Sequence, residues 1–118
     1  MDEPRALRAR AHEELVRGDT AGAITDLRAY LDVEPDDAGA WVSLGTAYSA
    51  VEHHAQAVGA LARAVELDPD DADARLGYAR ALRAVGKIDD AAFQLLQTNQ
   101  LTPKNKHILH KLGVAFYD

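Results

Sequence analysis

The sequence predicts an all-α protein, an α-solenoid of tandem helix–turn–helix repeats, and three observations predict it. Pro35, Pro69 and Pro103 recur at one interval of about 34 residues. Ala23, Ala57 and Ala91 keep that interval, as do Leu27, Leu61 and Leu95, and small residues hold the same register at Ala11, Gly45, Ala79 and Gly113. Between the prolines, apolar residues fall at steps of three and four, the spacing of one helix face. A unit of this size buries its apolar face only by stacking on its neighbours. The chain therefore reads as one domain over 1–118, with repeats at about 4–37, 38–71 and 72–105. Segment 106–118 supplies the first helix of a fourth repeat or a C-terminal cap.

In order, the first helix is expected over 4–17, with Pro4 in a first turn where its missing N–H costs nothing. Gly18, Asp19 and Thr20 punctuate, and Asp19 or Thr20 caps a second helix over 21–33. That helix puts Ala23, Leu27, Tyr30 and Leu31 on one stripe and ends before Pro35. Asp36-Asp37 and Asp70-Asp71 open the next two units. A carboxylate there accepts the free N–H groups of a first turn and favours the positive end of the helix dipole. These acidic pairs are thus read as caps and not as metal or acid–base sites, and Asn105 takes the same part for the last helix. The remaining helices are expected over 38–50, 55–67, 72–84, 89–101 and 106–117, with Gly86 at the turn of the third unit.

Segment 37–69 carries Trp41, Leu44, Gly45, Tyr48, Ala57, Leu61, Ala64 and Pro69. In type, order and spacing these residues resemble the tetratricopeptide repeat, and the resemblance covers nearly the whole chain. It implies stacked antiparallel helix pairs with a right-handed superhelical sense. The small residues Gly45 and Ala57 let two helices approach, while Trp41, Tyr48 and Leu61 fill the flanks of the core. Two departures from the pattern matter. The positions of Leu44 and Tyr48 are taken by Arg10 and Glu14 in the first helix, which reads as a polar terminal cap. In the last helix they are Leu112 and Phe116, and with Leu109 and Gly113 they make an apolar face that has no partner helix after it.

Composition narrows the function classes. A net charge of −6 argues against nucleic-acid binding through phosphate neutralisation. No apolar run approaches the roughly 20 residues needed to span a bilayer, so membrane insertion is not expected. There is no cysteine, which excludes disulfides and thiolate metal sites. The acidic start, Met1-Asp2-Glu3-Pro4, lacks the features of a secretory signal. A cytoplasmic protein is expected, or a periplasmic one if an upstream signal has been removed, and abundant Ala, Arg and Asp suggest a bacterial source. No nucleophile–base pair, phosphate loop or nucleotide fingerprint is present. His107 and His110 share a helix face without a third ligand of suitable spacing, and His53-His54 sits at a turn. No enzyme, cofactor or metal is expected.

The resemblance implies that the first helix of each unit lines a concave groove that holds a partner peptide. Carried over position by position, the groove consists of Arg5, Arg8 and His12, then Gly39, Val42, Ser43, Thr46 and Ser49. The third unit adds Asp73, Leu76, Gly77, Arg80 and Arg83, and the last helix adds His107, His110, Lys111 and Val114. Such a groove is small and neutral at its centre and basic at both ends, which suits a peptide with acidic groups. The competing reading is that the arginines form a solvated face paired with neighbouring carboxylates. Family members that grip the acidic tails of heat-shock chaperones use a clamp of lysines, asparagines and an arginine. Here the matching positions read Arg8, His12, Ser43, Asp73 and Gly77, so that role is not expected. The expected function is non-catalytic protein–protein recognition within a larger scaffold or assembly factor. The alternative is a homodimer joined through Leu109, Leu112 and Phe116, and a third reading is accessory repeats fused to an enzyme outside this chain.

Overall fold

The computed structural model describes residues 4–101, and six helices make up that stretch. They are α1 (Pro4–Arg17), α2 (Thr20–Val33), α3 (Ala38–Ala50), α4 (His54–Leu67), α5 (Ala72–Ala84) and α6 (Ile88–Leu101). The expected helix over 106–117 lies outside the described residues. Successive helices pack as antiparallel pairs, and each pair stacks on the next through α2 against α3 and α4 against α5. Contact between α3 and α5 sets the first helices of the second and third units side by side along one side of the stack, the inner side. The architecture is an all-α solenoid. Among the described residues, no helix is long and apolar enough to cross a membrane.

Helix starts follow from the carboxylates that precede them. Asp19 accepts a hydrogen bond from the Gly22 N–H, Asp37 from the Ala40 N–H and Asp71 from the Ala74 N–H, each at 3.1–3.2 Å. Each bond satisfies a first-turn donor that has no partner inside its own helix. Helix α4 starts from His53 without a side-chain cap, so not every unit uses this device.

The turn inside each unit repeats a backbone conformation that composition alone did not reveal. Gly18 and Gly86 take left-handed φ values of 86° and 88°, and the matching residue of the middle unit, Glu52, sits at 61°. A side chain in this region crowds the following carbonyl, at about 1–2 kcal/mol, whereas glycine meets no such penalty. Glu52→Gly is therefore expected to raise the unfolding free energy by about 0.5–1 kcal/mol after glycine's own chain entropy is subtracted. The midpoint of urea unfolding reads this directly. No gain would mean that the Glu52 backbone is unstrained.

The core is a ladder of alanines and leucines. Ala11, Leu27, Tyr30, Leu31, Ala40, Leu44 and Ala60 form its first part, with Trp41 and Tyr48 half-buried against them. Ala57, Leu61 and Ala81 form the middle, and Ala79, Leu82, Ala91 and Leu95 the far part. A Cβ on Gly45 would collide with Leu61, so the closest approach of α3 and α4 depends on the missing side chain. Trp41 also anchors its own turn, donating from Nε1 to the Pro35 carbonyl at 2.8 Å. The third unit has Arg75 in that position, and its Nε makes the same bond to the Pro69 carbonyl at 2.7 Å. An arginine thus replaces the signature tryptophan while keeping its hydrogen bond. Its Nη1 goes on to Gln94 Oε1 at 3.0 Å, which ties α5 to α6.

One expectation is corrected. Glu14 is turned away from solvent, while the Arg10 side chain stays 48% exposed. Glu14 is only 8% exposed, and Arg10 reaches across to α2, where Asp26 is likewise only 8% exposed. The first unit fills its inter-helix seam with an ionic cluster where the second unit uses Leu44, Tyr48 and Ala60.

Candidate functional site

On the inner side, a cavity of about 260 Å³ opens between α3 and α5. Thr46 and Ser49 come from α3, Gly77 and Arg80 from α5, and His54 and Leu61 from α4. Helical spacing explains the convergence: Thr46 and Ser49 are one turn apart, as are Gly77 and Arg80, so each pair points the same way. Leu61 forms the floor because Gly45 and Gly77 beside it have no side chains to cover it; a Cβ on Gly77 would stand only 3.4 Å from Leu61 Cδ2. An apolar floor ringed by two hydroxyls, an imidazole and a guanidinium accepts an apolar side chain below and an acceptor group at its mouth.

The expected groove residues are distributed unevenly around this cavity. Thr46 and Arg80 line it, together with Ser49 and Gly77 of the wider stripe. Val42 is half-buried and packs against Ala57 and Leu61, so its surface is largely committed to the core. Ser43 is half-buried, and Arg83 is exposed on the last turn of α5. Arg5, Arg8 and His12 share a shallow hollow on α1 with Ala9 and Glu13. His107, His110 and Lys111 lie outside the described residues, as do Leu109, Leu112 and Phe116. His54 and Leu61 are the two lining residues that the inner-helix pattern missed, because α4 is a second helix and Leu61 reads as pure core. The available signal was the pair of glycines, Gly45 and Gly77, in two successive first helices.

Arg8 is engaged within the protein. Its Nη1 stands 3.1 Å from Asp37 Oδ2, the same oxygen that accepts the Tyr30 hydroxyl at 2.6 Å. Burial pushes the Asp37 carboxyl up, but the Tyr30 hydroxyl, the Ala40 N–H and Arg8 outweigh it and hold the group below the usual carboxylate range. The same bond to Asp37, reinforced by burial, pushes the Tyr30 phenol up. The basic character expected at the N-terminal end is thus offset by Asp37 and by Glu13 beside it. Among the described residues, no group of His, Asp or Glu is placed to hold a metal ion.

The paired helices, the proline-spaced stacking and the inner cavity define a tetratricopeptide-repeat protein. Residues 3–118 match the model of the TPR domain of cytochrome c-type biogenesis protein H, and the chain belongs to that family. No curated protein matches the sequence itself. Among solved structures, MamA superposes with a TM-score of 0.88 at 22% identity over 94% of this chain, which spans 65% of MamA's length. The first TPR of Spaghetti (RPAP3), bound to an HSP90 peptide, gives 0.85 at 20% identity, covering 93% of this chain and 87% of the other. The TPR2B domain of yeast Sti1, in complex with pHsp70, gives 0.81 at 19% identity, covering 93% and 90%. At these identities the structural likeness establishes the fold.

Proposed function

We propose that this chain is a non-catalytic recognition module that holds a segment of a protein of cytochrome c assembly along its inner face. The observation that carries the reading is the cavity between α3 and α5, with Leu61 as floor and Arg80 at the rim. A bound segment would place one apolar side chain over Leu61 and an acidic residue beside Arg80. Burial of the first supplies affinity, and pairing of the second supplies orientation and rate of encounter. The family's description supports the assignment to cytochrome c biogenesis. The complex of RPAP3 with an HSP90 peptide supports the use of this fold for holding peptides.

The test is titration of the protein with short fluorescent peptides that carry Leu or Phe next to Glu, against controls with Lys in place of Glu. Wild type is expected to prefer the acidic peptides and to lose affinity as salt rises. Arg80→Glu is expected to weaken binding about tenfold and to flatten the salt dependence. Equal binding of acidic and basic peptides, or an Arg80→Glu protein that binds like wild type, would exclude the inner cavity as the recognition site.

A further inference from the structure

The ionic cluster between α1 and α2 has a composition that ordinary salt bridging does not account for. Arg10 donates from Nε to Asp26 Oδ2 at 2.8 Å and from Nη2 to Asp26 Oδ1 at 3.0 Å, so Asp26 takes a two-pronged bond from the guanidinium. Glu14, one turn further along α1, lies against the same carboxylate, and its Oε1 is buried with no hydrogen-bond partner. Its other oxygen is pressed against Gly22 of α2, where an added Cβ would overlap it. The charged groups that face Glu14 are Asp26 from α2, Asp19 from the turn and Arg10 from α1.

Two carboxylates therefore share one arginine that is already bound to the other of them. An ionised Glu14 would be a buried charge without a partner of its own, next to two like charges. A protonated Glu14 instead donates its O–H to Asp26 and leaves the seam with Arg10 and Asp26 neutralising each other. The second unit places Leu44, Tyr48 and Ala60 in these three positions and the third places Tyr78, Leu82 and Gln94, so of these three units the first alone fills them with two carboxylates and an arginine.

We propose that Glu14, Asp26 and Arg10 form a proton-operated latch, in which a proton held between Glu14 and Asp26 keeps α1 docked on α2 and its loss to solvent loosens α1 from the stack. The inference is independent of what the inner face binds. The hydrogen bond to Asp26, then burial, push the Glu14 carboxyl up to about 7, while Arg10 and Glu14 hold Asp26 below its ordinary range. For an acid whose folded-state value is raised, the stabilisation is complete below the ordinary value of 4.5 and is lost as pH rises through about 7. The constant for opening of α1 should accordingly rise about tenfold per pH unit across that window and level off above it.

The experiment is hydrogen exchange of the α1 and α5 amides in the full chain at pH 5 to 8, corrected for intrinsic rates, in wild type and Glu14→Gln. Glutamine mimics the protonated acid and cannot ionise, and the histidines common to both proteins cancel in the comparison. Wild-type α1 is expected to open roughly 50-fold more readily at pH 8 than at pH 5 relative to α5. Glu14→Gln should show no such trend and should exceed wild type in α1 protection at pH 8. A carboxyl carbon NMR titration of wild type provides a second readout that needs no variant to fold. It should find Glu14 titrating near neutrality, and Asp26→Asn should return it toward the ordinary range. A Glu14 that titrates like an exposed glutamate, or a Glu14→Gln protein with the wild-type pH profile, would overturn the latch.

Discussion

Leu61→Ala is expected to lower the unfolding free energy by about 3–4 kcal/mol. Leu61 is 1% exposed and stands where α3, α4 and α5 meet, packed against Gly45 on one side and Gly77 on the other. The lost transfer free energy is only part of the expectation. Neighbouring helices cannot close the gap, because each is also held by its own pair and by the next unit, so a cavity remains. The reciprocal substitution probes the same contact from the other side. Gly45→Ala places a Cβ into Leu61 and forces α3 away from α4, at a cost of about 1–3 kcal/mol. In the double variant the added methyl enters the space that Leu61 vacated, so the combined loss should fall short of the sum by about 1 kcal/mol or more. Urea midpoints at unchanged slope measure all three proteins. Strict additivity would mean that Gly45 is small for a reason other than Leu61.

The second large effect is expected at Asp37. One carboxylate caps α3 through the Ala40 N–H, accepts the Tyr30 hydroxyl at 2.6 Å and pairs with Arg8. The cap contributes about 1 kcal/mol and the bond from the largely buried tyrosine about the same, whereas the exposed arginine adds little. Asp37→Ala should therefore destabilise by about 2–3 kcal/mol. The chain contains its own control. Asp71 is the matching cap of α5, but the position matching Tyr30 is Ala64, so Asp71→Ala should cost only about 1 kcal/mol. Equal losses for the two variants would show that the tyrosine bond contributes nothing. The pH sign is opposite to that of Glu14. The Asp37 carboxyl is held below its ordinary 3.8, so its stabilisation is present above that value and is lost as pH falls through the depressed one.

These two sites show how far periodicity reads a solenoid and where it stops. The proline, alanine and leucine columns locate the helices, because each unit repeats the same local packing problem at the same interval. Asp37 and Asp71 are legible as caps because capping joins a residue to backbone three positions away. The tyrosine bond to Asp37 is also close in sequence, yet nothing in a helical pattern distinguishes a phenol that meets a carboxylate from one that meets an alkyl side chain. Glu52 was invisible for a related reason: the left-handed turn of each unit is marked by glycine at Gly18 and Gly86, and the middle unit carries a residue that hides the mark.

The candidate site divides in the same way. Thr46 and Arg80 follow from the inner stripe of α3 and α5, since residues at helical spacing share a face wherever the helix lies. His54 and Leu61 enter the cavity from α4, and this depends on how closely three helices approach one another. Arg8 was legible as a basic residue of the inner stripe, but its engagement by Asp37 requires the distance between α1 and the start of α3.

The sequence by itself determined that this is a helical-repeat protein, where its six described helices begin and end to within a residue, and which alanines and leucines form their ladder. Those properties depend on neighbours along the chain, and periodicity records them. Only the tertiary structure decided that the polar first helix turns Glu14 inward, that Leu61 floors a cavity and that Arg8 is paired. Each of these is a meeting of side chains from different helices, and burial, charge and protonation depend on distances that no spacing along a single chain contains.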